Sequence, residues 1–233
     1  MKKLIQAILL KKINYSETSL VLHFYTLENG FQSFLYPGAR KKKTTHPFHA
    51  LSIVEIECFY RKDSELGKIT AINNRYTFQE IPFNPYKSGV AFFVAEVCNQ
   101  CLKENEKDPA TFYFLEGMIS SLDQQELIAD YPLIFLIQLT KYLGFTPQVI
   151  ADQPNCLDCR EGEILKGRPP HSDYIEDETI TLLANALTSA VVNIRVHKTL
   201  RRKLLHNLLH YYRFHVEGFK TPKSLNVLET IFS

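Results

Sequence analysis

Thr18 to Leu27 (TSLVLHFYTL) is dense in β-branched and aromatic side chains, and Glu28-Asn29-Gly30 separates it from Phe31 to Tyr36 (FQSFLY). Such residues favour strands, and Asn-Gly between two apolar runs is a strong hairpin signal because both residues tolerate positive φ. Upstream, Leu4 to Leu10 is an apolar run closed by Lys11 and Lys12. Downstream, after a basic loop, Leu51 to Tyr60 (LSIVEIECFY) sets Glu55 and Glu57 on one face and Val54, Ile56 and Cys58 on the other. Ile69 to Phe78 is a fifth strand candidate. Five short strands in so small a segment predict a closed barrel, since closure hides the sheet edges. An SH3-like barrel fits the count nearly as well.

The pattern changes at Ile81-Pro82-Phe83-Asn84-Pro85, where two prolines mark a boundary. Tyr86 to Leu102 then places Val90, Phe93, Val94, Val97 and Cys101 at helical spacing. Asp108-Pro109 predicts a helix over 110–122, and Asp130 with Pro132 another that ends near Gly144. Residues 145–178, polar and rich in Pro and Gly, read as a long loop with room for a short hairpin. Glu178 to Val192, Lys198 to Val216 and a short segment opened by Pro222-Lys223-Ser224 complete the helices. The expectation is an α+β chain of two domains, a β-barrel at 1–80 and a helical domain at 81–233.

The chain has 233 residues, 45% of them hydrophobic and 22% charged. That composition builds a core and excludes a disordered or low-complexity chain. No run approaches the roughly 20 apolar residues of a membrane span, and the early lysines leave no signal-peptide core. Five cysteines do not suggest a disulfide framework, so a cytosolic protein is expected. The net charge of +2 hides a pattern: residues 1–80 carry +5, residues 81–180 carry −9 and residues 181–233 carry +6. Two basic segments that meet in space would make a face for polyanions.

Arg40-Lys41-Lys42-Lys43 is the sharpest feature. Four consecutive cations cannot be buried together, and phosphate backbone suits them, because each neutralised phosphate releases condensed counterions. Lys11 and Lys12 join this set, with Tyr36, Tyr25 and Phe31 as candidates for base stacking. A second cluster comprises Arg195, Lys198, Arg201, Arg202 and Lys203; on a helix Lys198, Arg201 and Arg202 share a face opposite a leucine stripe. Cys156 and Cys159 form one C-x-x-C, half of a zinc site, with His171 the nearest imidazole. No Walker, dinucleotide, nucleophile-elbow or H-E-x-x-H signature is present.

In order along the chain, Ala7 to Leu10, Tyr15 to Leu20, Thr26 to Gly30, and Pro37-Gly38-Ala39-Arg40 with Pro47-Phe48 and Leu51 resemble the start of the RecO family of DNA repair proteins. Leu143-Gly144-Phe145-Thr146-Pro147, Arg201-Arg202 with Leu204 and Leu205, and Lys223-Ser224 fit that family's helical part. The resemblance implies an N-terminal oligonucleotide-binding (OB) fold and a helical C-terminal domain. It implies a non-enzymatic recombination mediator that binds single- and double-stranded DNA and anneals complementary strands. With RecR, such a protein helps RecA replace single-strand-binding protein, whose acidic, hydrophobic tail the helical domain would receive through Arg195, Lys198, Arg201 and Arg202. It implies work in the cytoplasm, at the nucleoid, without cofactor turnover.

Two departures stand out. Many relatives carry a four-cysteine zinc module before the last helices, whereas here only Cys156 and Cys159 remain and Gly167 to His171 stands where the second pair would be. The family's K-S-R reads Lys223-Ser224-Leu225. Against the mediator stand a non-catalytic adaptor whose basic patch binds acidic protein surfaces, an RNA-binding barrel, and a metal or thiol hydrolase resting on Cys156, Cys159 and His171.

Overall fold

The computed structural model describes residues 2–40, 48–59, 66–104, 106–189 and 195–232. The chain divides into two compact units, Met1–Gln125 and Glu126–Ser233.

The first unit opens with five strands: β1 (Lys2–Asn14), β2 (Leu20–Thr26), β3 (Gly30–Tyr36), β4 (Ile53–Phe59) and β5 (Gly67–Asn74). They close into a barrel in the order β1-β2-β3-β5-β4. This OB-like order decides between the two barrels that the strand count alone left open. Antiparallel ladders join every neighbouring pair but one: among the described residues β3 meets β5 in parallel at Phe34↔Gly67 and Leu35↔Lys68. β1 runs past the expected end at Leu10 because the register shifts between Leu9 and Lys11. Leu10 is the extra residue of a bulge, which lets Ala7 to Leu10 all be buried before Lys11 and Lys12 emerge. Phe24, Phe34, Leu22 and Ile56 fill the barrel.

The hairpin joining β2 and β3 forms where Asn29-Gly30 predicts it, but Gly30 alone of the two takes positive φ, at 66°. Thr26 fastens the turn, its Oγ1 donating to the Gly30 carbonyl at 2.9 Å and accepting from the Asn29 N–H at 3.2 Å. A Cβ on Gly30 would sit 2.3 Å from the carbonyl oxygen of Glu106. Gly30→Ala therefore combines left-handed strain with a backbone clash, and an expected loss of roughly 2–4 kcal/mol. Urea unfolding measures it; a loss below about 1 kcal/mol would count against this close approach.

Two helices belong to the same unit: α1 (Pro85–Cys101) and α2 (Pro109–Gln124). Asn84 caps α1 by accepting from the N–H groups of Tyr86 and Lys87, and Asp108 caps α2 by accepting from Thr111. The last barrel strand ends at Asn74, while the compact unit runs on past the compositional boundary at 80/81 to Gln125. A buried carboxylate accounts for this. Asp123, near the end of α2, is 0% exposed. Its Oδ2 accepts from the Gln79 N–H (2.8 Å) and the Tyr76 hydroxyl (3.1 Å), and its Oδ1 from the N–H groups of Glu80 and Ile81 (2.9 Å each). Buried Lys87 donates to the Asp123 carbonyl at 2.7 Å. Phe112 of α2 also stacks on Tyr25 of β2.

The second unit holds α3 (Tyr131–Leu143), β6 (Gln148–Val149), β7 (Cys156–Asp158), β8 (Glu163–Leu165), β9 (Tyr174–Glu176), α4 (Glu178–Thr188), α5 (Lys198–His215) and α6 (Leu225–Ile231). Residues 145–178 are not a loop with a single hairpin: four short strands form a sheet in the order β6-β8-β7-β9. Gly144, at φ 80°, ends α3 in the left-handed conformation. Phe145 then packs against Tyr212 and stacks on His215, while Tyr211 Oη donates to its carbonyl at 2.7 Å. The Leu-Gly-Phe-Thr-Pro segment is therefore the corner that seats α5. The part of the expected fourth long helix beyond Ser189 falls outside the described residues.

Candidate functional site

At the barrel, Lys11 and Lys12 follow the β1 bulge and are exposed. Arg40 is exposed as well, with its N–H donating to the Thr18 carbonyl (3.1 Å) and Nη1 to the Ser16 carbonyl (3.0 Å). These bonds hold Arg40 against the turn between β1 and β2. Lys41, Lys42 and Lys43 lie outside the described residues. Nearby imidazoles feel the local charge: burial first, then Lys12, lowers the pKa of His49, and burial first, then Lys11, lowers that of His23.

The aromatic candidates need correction. Tyr36 is 6% exposed, lies in the barrel core and meets Phe48 edge-on, so it has no face for a base. Tyr25 and Phe31 are buried too. Tyr36 follows Phe34 by two residues and shares its inward face, which is a signal that period-two reading carries. Tyr15, which the sequence reading did not single out, is 67% exposed in the same turn that Arg40 grips. Its ring is exposed one residue before Ser16, whose carbonyl Arg40 holds. Its sequence signals are its place at the head of the Tyr15 to Leu20 stretch and, after Lys12, in a turn without alternation.

In the second unit, a cavity of about 250 Å³ opens beside α5. Pro132, Leu133, Leu205, Leu228 and Phe232 supply apolar walls, and Lys198, Arg201 and Arg202 stand along one side. Three of the four expected partner-binding cations thus come together. Arg195 is exposed and does not line the cavity, though its charge reaches Asp130. Lys203 turns to Glu178 (2.9 Å) and Asp177 (3.6 Å) instead. Arg201 Nε lies 3.0 Å from Asp130 Oδ1, and Arg202 Nε lies 2.9 Å from Glu229 Oε1.

The C-x-x-C pair does not fit a zinc site. Cys156 and Cys159 are fully buried. Burial, then the negative charges of Glu176 and Asp158, raises the Cys156 thiol. Burial, Asp158 and Cys156 push Cys159 up to about 12. His171 Nδ1 accepts the Asp173 N–H at 3.2 Å, which assigns the ring proton to Nε2, 3.0 Å from Asp158 Oδ2. Neither nitrogen then keeps a lone pair for a metal, and Asp158 Oδ1 is engaged by the N–H groups of Arg160 and Glu161. Among the described residues no group of three or more His, Cys, Asp or Glu is placed to hold an ion. The Asp158–His171 clasp and β7's pairing with β8 and β9 tie this segment together. A structural zinc contributes about 10 kcal/mol or more, so its removal would be plain. A strong chelator is expected to leave the thermal midpoint unchanged; a large fall would restore the metal.

Among the described residues no helix is long and apolar enough to cross a membrane. The model of the recombination protein O N-terminal domain matches residues 1–78, and that of the recombination protein O C-terminal domain matches residues 82–225. The DNA repair protein RecO of Flavobacterium psychrophilum is 32% identical over 238 residues, covering 98% of each chain. Those of Phocaeicola vulgatus and Christiangramia forsetii are 32% and 31% identical over 97% of this chain. With a closed five-stranded barrel, a helical second part and matches across both, the chain belongs to the RecO family of DNA repair proteins.

Proposed function

We propose that this chain is a recombination mediator that acts by binding rather than by covalent catalysis. Single- and double-stranded DNA meet the barrel at Lys11, Lys12 and Arg40, continued by Lys41, Lys42 and Lys43, with Tyr15 as the stacking ring. The observation that carries this reading is the exposed Tyr15 in the β1–β2 turn of an OB-like barrel, with Arg40 bonded to that turn and Lys11 and Lys12 exposed in the strand that leads into it. Two strands held with their phosphates screened meet at high local concentration, which promotes annealing. The groove beside α5, cationic on one side and apolar within, suits the acidic, hydrophobic tail of single-strand-binding protein. In this reading the chain works with RecR in the cytoplasm to give RecA access to coated strands.

Anisotropy of a labelled single strand, titrated at several salt concentrations, tests the DNA reading. Tight binding is expected, falling with log salt at roughly 0.7 per neutralised phosphate. No binding at low salt would overturn it and leave the adaptor, whose ligands are acidic proteins.

A further inference from the structure

The groove beside α5 is already half satisfied by the chain itself. Arg201 faces Asp130, and Arg202 faces Glu229, whose Oε1 also lies 2.7 Å from His206 Nε2. Lys198 makes no ion pair to another described residue. Asp130 stands at the N-cap of α3, where a carboxylate ordinarily accepts from the first-turn N–H groups, yet its side chain makes no capping bond. It turns to Arg201 instead. That contact is imperfect: Asp130 Oδ1 and Arg201 Nε are both shut off from water, and neither makes a hydrogen bond of acceptable geometry. Burial raises the pKa of the Asp130 carboxyl more than Arg201 lowers it. A partly buried charge pair without well-formed hydrogen bonds is a poorly compensated one. Glu229 comes from α6, a seven-residue helix that also contributes Leu228 to the cavity wall, with Phe232 just beyond its end. Two resident carboxylates thus sit against two of the three cations that a ligand would need.

We propose that Asp130 and Glu229 are resident stand-ins for ligand carboxylates, so that an acidic segment with an apolar end binds by exchanging its own carboxylates for theirs at Arg201 and Arg202. This rests on the reading of the groove as a receptor for an acidic tail. A ligand with a single carboxylate gains little, because it meets Lys198 and must displace a resident pair for anything more. One with two or more replaces both contacts while its apolar end fills the cavity. The resident pairs therefore lower affinity and raise selectivity together, in the way that a fractionally populated competent state weakens the apparent dissociation constant.

The test uses the full chain and a fluorescent peptide with three aspartates and a C-terminal phenylalanine. Glu229→Gln and Asp130→Asn keep side-chain shape and remove one resident charge each. Either is expected to tighten the peptide about five-fold, while Lys198→Glu weakens it in every background. Thermal melts report whether each variant is folded; should Asp130→Asn fail to fold, Glu229→Gln decides. If the wild type binds, Lys198→Glu weakens it, and the neutralised variants bind no tighter, the exchange proposal falls and the groove reading stands. If no form binds the peptide, both fall.

Discussion

Asp123→Asn is expected to lower the stability of the first unit by about 3–5 kcal/mol, read as a fall in the urea midpoint at unchanged slope. The carboxylate uses both oxygens, each accepting from two donors. An amide keeps one oxygen and turns an NH2 toward the other two donors, leaving them facing a donor in a site closed to water. Burial by itself pushes the Asp123 carboxyl up; the N–H groups of Gln79, Ile81 and Glu80 and the Tyr76 hydroxyl outweigh it, and the net is below the usual carboxylate range. A pKa lower folded than unfolded means that the contribution is present in full above the unfolded carboxylate value. It is lost as pH falls through the folded one. Wild type and Asp123→Asn should therefore differ most near neutrality and converge in acid. A difference independent of pH would mean that the carboxylate's charge is not what holds residues 79–81 to α2.

The second large effect concerns DNA. Replacing Lys11, Lys12, Arg40, Lys41, Lys42 and Lys43 together by neutral residues should weaken single-strand binding on the order of a hundred-fold at low salt. The slope against log salt should flatten by about 0.7 for each lost phosphate contact. Lys11, Lys12 and Arg40 are exposed, so the fold should tolerate their replacement. Tyr15→Ala separates the two components of the interface. Stacking is worth about 1–3 kcal/mol per base and carries no counterion release, so its loss should lower affinity at every salt concentration while the slope stays fixed. An unchanged slope in the six-residue variant would move the DNA site off the barrel.

What the amino-acid sequence displays, and what it conceals, follows from how far apart the determinants lie. The β2–β3 hairpin is legible because alternation and the Asn-Gly turn sit within nineteen residues, 18–36. The continuation of β1 through Lys11 and Lys12 is not, since a bulge at Leu10 breaks the period where two lysines suggest an end. The sheet of β6 to β9 has strands of two or three residues, too short for any period to register. The cationic stripe of α5 is visible as local spacing. The carboxylates that answer it, Asp130 and Glu229, come from elements 71 residues before and 27 residues after their partners, and no local pattern announces them. Inward or outward placement of the barrel aromatics lies between these cases, since Phe34 and Tyr36, two residues apart, share one face of β3.

The parallel seam between β3 and β5 gives the barrel a built-in weak point. Among the described residues, ladders of six or seven residue pairs fasten the other junctions, whereas two pairs close this one. Thermal breathing will therefore begin there, with amides near Gly67 and Lys68 exchanging with solvent sooner than those at the centre of β1 or β2. A cylinder that unzips along one short line can widen and reclose without dismantling the β1–β2–β3 meander, so the turn that carries Tyr15, with Arg40 bonded to it, stays in place while the wall beside it yields.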